Sequence, residues 1–379
     1  MKLSFASFII LLLFQSILPQ SDSCEITFIV TSIKVGDSES VFIVGNDSFL
    51  GDWNPAAVKL FKSNDSTWSK SFRFKRGKNL EYKFTKGSWD KEALDKDGFI
   101  PDNYNQTVIY DTVITIEIKK WRNRETQLIH GQITGTVRYH LQFEGDGLKP
   151  RDIIVWLPPS YNQDTTKHYP VFYMHDGQNV FDPATSSFGY DWRADEVADS
   201  LIKAGIINEI IIVGIYNSSD RRYEYIHTPL GYVYMDFIAN KFKPFIDKEY
   251  RTLAGSENTA VGGASSGGLI SLMLVWNYPK VFSKAACLSS AFKIQELNYV
   301  DTIANYAGKK KEIKLYIDIG GIGLERELKP GNDDMIAALQ NKGYEIGKDL
   351  ICYVDKNAVH SEVAWAERIW RPLLFFFGK

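Results

Sequence analysis

Thr259-Ala260-Val261-Gly262-Gly263-Ala264-Ser265-Ser266-Gly267-Gly268-Leu269-Ile270 decides how the second half of this chain is read. Small, β-compatible residues run into a serine flanked by glycines, and an apolar helical run continues through Trp276. The pattern G-x-S-x-G from Gly263 to Gly267 is that of a sharp strand-to-helix turn. Its neighbours must be small so that the serine Oγ stands clear and the next backbone N–H faces an incoming carbonyl. It points to acyl-transfer chemistry at Ser265. With 28 glycines in 379 residues, chance alone supplies about 0.15 such pentapeptides, so the flanking strand and helix and a downstream histidine carry the reading.

Around the turn, strands alternate with amphipathic helices from about Thr134 onward. Asp152 to Leu157, Val171 to Met174, Glu209 to Gly214, Thr259 to Gly262, Ala285 to Leu288, Leu315 to Ile319 and Leu350 to Val354 read as strands, with helical runs at Trp192 to Ala204, Met235 to Ile246 and Met335 to Asn341. That alternation predicts an α/β-hydrolase-type, doubly wound and mostly parallel sheet over residues 134–379. Reactive groups in such sheets sit in loops at the carboxyl ends of the strands.

Residues 24–120 have a different period: Glu25 to Val30, Ser40 to Val44, Thr67 to Phe74, Leu80 to Phe84 and Val113 to Ile118 are short alternating strands. They predict an all-β, immunoglobulin-like sandwich. Residues 121–133 are expected to be the linker.

A length of 379 residues and 44 % hydrophobic content fit two cores. A net charge of −2 gives no electrostatic reason for a nucleic-acid or anionic-membrane partner. The start, Met1-Lys2 followed by a mainly apolar run from Leu3 through Phe14, reads as a secretory signal over residues 1–23, too short to span a bilayer. Cleavage is expected between Gln20 and Cys24, which places the mature protein outside the cell or in the lumen of the secretory or endolysosomal pathway. Ser21-Asp22-Ser23 lacks the aliphatic residue expected upstream of a lipidated cysteine.

Cys24, Cys287 and Cys352 allow at most one disulfide and no metal site by spacing. The sequons at Asn46, Asn64, Asn105 and Asn217 fit a secreted glycoprotein.

Ser265 needs a base. Of six histidines, His130 and His140 precede the core, His168 and His227 lie in loops, and His175 ends a strand. His360 falls in the loop after the last strand, where the order serine, acid, histidine places the base. The acid belongs near the end of the strand Leu315 to Ile319. Glu325, Glu327, Asp333 and Asp334 are within reach, Asp318 lies inside the strand, and Glu325 is best positioned. Asp333 and Asp334 follow Pro330-Gly331-Asn332 and read as a helix N-terminus. Asp176-Gly177-Gln178 after His175 supplies the second oxyanion donor, from Gly177 or Gln178, beside the N–H of Ser266.

Met174 to Asp182, Val213 to Asn217 with Asp220-Arg221-Arg222 and Glu224-Tyr225, the serine turn, and His360 to Trp365 together resemble the esterase family that groups esterase D-like α/β-hydrolases with enterochelin and feruloyl esterases. The resemblance covers nearly all of residues 134–379. It implies Ser265 as nucleophile and His360 as base. Asp318-Ile319-Gly320-Gly321-Ile322-Gly323-Leu324-Glu325 is similar to the family's Asp-x-Gly stretch with the carboxylate displaced.

Val44 to Pro55, Trp68, Tyr82-Lys83-Phe84 and Gly87-Ser88-Trp89 resemble the starch-binding modules of carbohydrate-binding family twenty. That likeness implies Trp53 and Trp89 as stacking residues, Lys83 and Asn103 as hydroxyl ligands, and Trp68 as core.

The expectation is a secreted serine esterase acting on carboxylic esters, with α-glucan or another polysaccharide held by a sandwich that tethers without taking part in chemistry, and with no metal or organic cofactor. The rival readings are a glycan-binding protein with a vestigial hydrolase and an acyltransferase to sugar hydroxyls.

Overall fold

The computed structural model describes residues 22–32, 35–36, 39–95, 101, 103–122 and 132–379. The signal segment up to residue 21, His130 and most of the expected linker lie outside the described residues.

The strand Ser23–Thr31 alternates buried and half-buried along its length, as a half-buried strand must. It sends Cys24, Ile26, Phe28 and Val30 into a core shared with Trp68, Tyr82 and Phe84. Trp68 is core, as expected. Cys24 is 1 % exposed, which leaves no room for a lipid on its sulfur. Two four-stranded sheets enclose this core. One runs Phe61–Asn64, Thr67–Lys75, Ser23–Thr31, Thr112–Glu117, and the other Val58–Lys59, Phe42–Gly45, Asn79–Thr85, Tyr104–Thr107. Trp121 pairs with Ala93, so β structure continues one residue into the expected linker, and Arg122 beyond it is buried against Glu92.

The second half is an eight-stranded sheet in the order Thr136–Gly145, Leu148–Leu157, Ile211–Ile215, Val171–His175, Thr259–Ala264, Lys284–Leu288, Lys314–Ile319, Leu350–Val354. The first two pairings are antiparallel and the rest parallel. Successive side chains point to opposite faces, so Ile153, Val155, Tyr173 and Val213 join one helix-covered core while Ile154, Trp156, Phe172 and Ile212 join the other. All seven strands expected in this half are present. Thr136–Gly145 was not among them.

Three helical expectations shift. Trp192 to Ala204 becomes Ala194–Lys203. Met235 to Ile246 becomes a longer helical run, Pro229–Phe237 and Lys243–Glu249 joined by the π-helical turn Ile238–Phe242. Met335 to Asn341 is the end of an 18-residue helix, Leu324–Asn341, with Pro330 inside it. Asp333 and Asp334 are therefore mid-helix, not at an N-terminus. A tertiary contact drives the continuation: Gly331 presses on Lys293, where a Cβ would lie 2.5 Å from the carbonyl oxygen, and Asn332 Nδ2 donates to the Ser290 carbonyl at 2.7 Å.

All three cysteines are free. No helix among the described residues is long and apolar enough to cross a membrane.

Candidate active site

Ser265 stands between the buried strand Thr259–Ala264 and the helix Ser266–Asn277, at φ 58° and ψ −124°. Backbone of this kind costs a non-glycine residue about 1–3 kcal/mol and persists only where its surroundings fix it. Here Ser265 N–H donates to Leu288 O at 3.0 Å, and Ser265 O accepts from Ala291 N–H at 3.1 Å. The turn also requires its glycines, since a Cβ on Gly263 would lie 2.8 Å from the carbonyl carbon of Gly267. Ser266 opens the helix, so its N–H has no partner within the helix and points where an anion is stabilised.

His360 follows the strand Leu350–Val354 and directly precedes the helix Glu362–Ala366, capped by Ser361. Its Nδ1 lies 2.9 Å from Glu325 Oε1. An ionised carboxylate only accepts, so Nδ1 carries the hydrogen and Nε2 is left with its lone pair open to accept one. The Trp365 indole meets the imidazole edge-on, 4.9 Å between centroids at 87°. Glu325 is fully buried, and its second oxygen accepts the Gly320 N–H at 2.7 Å. Burial pushes this carboxyl up, but bonds to His360, Ser289 and Gly320 and the neighbouring imidazole outweigh it and hold it below the usual carboxylate range.

The other candidates are engaged elsewhere. Asp318 is buried in an ion pair with Arg368, whose Nε lies 3.0 Å away. Glu327 is exposed, while Asp333 and Asp334 pair with Lys329 and Lys293 on the surface. His175 is sealed in the core with Nδ1 on Tyr234 OH at 2.9 Å, and burial lowers its pKa to about 3, so it stays neutral. His140 and His227 bond tyrosine hydroxyls and His168 a backbone carbonyl.

The loop after His175 is anchored by a network among residues of two stretches that carry the esterase resemblance, though nothing in the sequence showed that they touch. Asp176 sits at φ 58°, ψ 47°. Its two oxygens accept Arg221 Nε and Nη2 at 2.7 Å each, and Asn217 Nδ2 donates at 2.7 Å. Burial raises the Asp176 carboxyl, and the Arg221 charge and hydrogen bonds bring it below its ordinary value. Of the two oxyanion candidates, Gln178 lines the cleft with Ser265. Gly177 instead packs on the strand Ile211–Ile215, where a Cβ would meet the Gly214 carbonyl carbon at 2.3 Å. The Asn217 sequon also lies on the cleft wall, with its amide held by Asp176.

Ser265 and His360 open onto one cavity of about 1210 Å³. Trp53, Trp89 and Asn103 of the sandwich line the same cavity, so the sandwich forms part of the cleft wall. Lys83 is the exception among the expected glycan ligands. It is 2 % exposed, its Nζ lies 3.5 Å from Glu92 Oε2 and donates to Ser187 O at 3.1 Å, and Arg122 holds the other Glu92 oxygen at 3.0 Å while donating to Ala184 O at 2.9 Å. These two cations on one buried carboxylate fasten the sandwich to the second domain. Asn103 Nδ2 bonds Glu81 at 3.1 Å.

Two further groups were given no role in the sequence reading. Glu362, on the cleft wall, accepts Asn179 Nδ2 at 3.2 Å, and burial pushes its carboxyl up to about 8. Asp191, Asp195 and Glu196 bring carboxylate oxygens within 4.8 Å of one another. Burial and the Glu196 hydrogen bond raise Asp195 to about 8, and none of the three lines the cleft. A smaller cavity of about 490 Å³ beside Tyr161 and Tyr250 has no serine or cysteine on its wall.

Residues 149–374 match the family described as "Putative esterase", and residues 23–108 match the starch-binding domain. A Bacillus subtilis protein, YbbA, is 24 % identical over 249 residues, covering 60 % of this chain and 93 % of its own length. A ferulic acid esterase structure superposes with TM-score 0.54 and 22 % identity over 64 % of this chain and 98 % of its own. The enterobactin esterase of Shigella flexneri superposes with TM-score 0.54 and 11 % identity over 95 % and 94 %. At these identities the likeness is one of fold.

Proposed function

The chain belongs to the Putative esterase family and carries a starch-binding domain ahead of it; from that premise we propose that it is a secreted serine esterase that hydrolyses carboxylic esters through an acyl-enzyme. The observation that carries this reading is the His360 Nδ1 to Glu325 Oε1 bond of 2.9 Å in the cavity that also holds Ser265 on its strained turn.

Ser265 Oγ attacks the ester carbonyl while His360 Nε2 takes its proton. Glu325 keeps the imidazole in the required tautomer and stabilises the imidazolium. The backbone N–H groups of Ser266 and Gln178, at the head of a 12-residue helix and of an anchored turn, receive the negative charge on the carbonyl oxygen. His360 then protonates the departing alcohol. Water, deprotonated by the same nitrogen, releases the acid.

Outside the site, the apolar segment after Met1-Lys2 and the exposed sequon asparagines Asn46, Asn64 and Asn105 support secretion and glycosylation.

Ser265→Ala is the test. The kcat toward a short-chain aryl ester should fall by roughly four to six orders of magnitude with the fold retained. Retention of more than about a tenth of the activity would remove Ser265 from the mechanism.

A further inference from the structure

The cleft that holds Ser265 and His360 is not closed by the α/β domain alone; Trp53, Trp89 and Asn103 reach it from the sandwich. Trp53 gets there by unusual backbone. Gly51, Asp52 and Trp53 lie at φ 84°, 47° and 63°, three consecutive left-handed residues, and for a bulky side chain that is an outlier. Trp53 belongs to none of the apolar cores formed by the described residues. Trp53 N–H donates to Gly45 O at 2.8 Å, Asp52 N–H to Asp47 O at 3.1 Å, and the Asp52 carboxylate pairs with Arg222 of the α/β domain at 2.5 Å. Strain held in place this way is characteristic of binding sites.

The result is a half-buried indole beside Trp89, centroids 6.5 Å apart and planes tilted by 33°. Asn54, Glu81 and Asn103 supply the polar edge. Two tilted aromatic faces form a shallow concave apolar surface, and amide and carboxylate groups at its rim suit hydroxyls. An uncharged, polyhydroxylated ring with apolar C–H faces fits this surface.

The geometry relative to Ser265 is fixed. Lys83 and Arg122 donate to the 184–187 backbone, and Phe188, next along, also lines the cleft. A tether needs neither this docking nor a common cavity, and at about 1210 Å³ the cavity exceeds what a drug-sized ligand fills.

We infer that the Trp53–Trp89 pair is the subsite for the alcohol part of the substrate, and that the ester cleaved is an O-acylated gluco-oligosaccharide, a glucan bearing an acyl group on one hydroxyl. The inference rests on the esterase reading above. A neutral glucan offers hydroxyls and no carboxyl, so in its esters the sugar is the alcohol. The acyl group passes to Ser265 Oγ, the freed sugar hydroxyl takes its proton from His360, and water then yields the carboxylic acid and the deacylated oligosaccharide.

The test compares kcat/KM of the full-length protein for mono-O-acetylated maltotetraose and for p-nitrophenyl acetate, which share an acyl group and differ only in the alcohol. In Trp53→Ala and in Trp89→Ala, the ratio of the first to the second should fall by about tenfold or more, chiefly through KM, and Trp53→Phe, which keeps a ring, should recover most of the loss. Melting temperatures identify any variant that fails to fold, and the Phe variant keeps the test open if Trp53→Ala is one.

An unchanged ratio with starch retention lost would make the sandwich a tether. An unchanged ratio, with the unmodified protein not retained on starch, would make it a structural wall. Either overturns the inference while leaving the esterase reading intact. If the unmodified protein cleaves neither ester, the esterase reading fails and this inference with it.

Discussion

Glu325→Gln is the most informative single change, because the structure dictates what a glutamine can do there. The buried carboxylate accepts from His360 Nδ1 at 2.9 Å and from Gly320 N–H at 2.7 Å. A glutamine has one oxygen to offer. With that oxygen on Gly320, its NH₂ faces Nδ1 and forces the imidazole hydrogen onto Nε2, leaving Ser265 without a base. With the oxygen turned to His360, the NH₂ opposes the Gly320 N–H, and an unpaired buried donor costs about 1–3 kcal/mol. The wrong tautomer is therefore favoured. Loss of a buried triad acid in this way lowers kcat by about 10⁴, or ~5.4 kcal/mol at 1.36 kcal/mol per decade. Initial rates at saturating p-nitrophenyl acetate, with a melting curve to confirm folding, would measure it. His360→Ala should cost more. A loss smaller than about tenfold, or a larger one from Asp333→Asn or Asp334→Asn, would refute the assignment.

Other expectations follow from the buried charges. The Glu362 carboxyl, raised to about 8 by burial, titrates near 4.3 in the unfolded chain; the folded state thus holds the extra proton, and stability falls as pH rises between those values. Glu362→Gln has no such titration, so its melting temperature should gain on the unmodified protein steadily from pH 5 to 8; a gap independent of pH would contradict this. Lys83→Met removes one of two cations from the buried Glu92 and should cost about 3 kcal/mol in denaturant unfolding, with the folded protein still retained on starch. Retention lost at unchanged stability would return Lys83 to the glycan site.

What the sequence disclosed was local. The serine turn declared itself because its glycines, serine and flanking periods fall within twelve residues, and Glu325 and His360 were singled out from their places after successive strands; the structure brings them within 2.9 Å of each other. Trp53 and Trp89 were singled out by resemblance, but their place on the wall of the cavity that holds Ser265 depends on how two domains dock. Lys83 misled because what buries it is distant in sequence: Ser187, whose carbonyl it meets across the domain boundary, lies 104 residues away. Pro330 misled because local rules end or begin helices at proline, whereas Gly331 against Lys293 and Asn332 on Ser290 carry this helix through. The stretches that hold Asp176, Asn217 and Arg221 were singled out by resemblance, but their network joins residues more than forty apart and its contacts could not be read from the sequence.

The decisive measurement is mass spectrometry of the intact protein, quenched in acid during turnover of an activated aryl ester, followed by peptide mapping. A mass increase equal to one acyl group, located on Ser265, absent from Ser265→Ala and accumulating in Glu325→Gln only at a greatly reduced rate, is the predicted result. Hydrolysis that proceeds with no acyl adduct, or with the adduct on another residue, would contradict the mechanism.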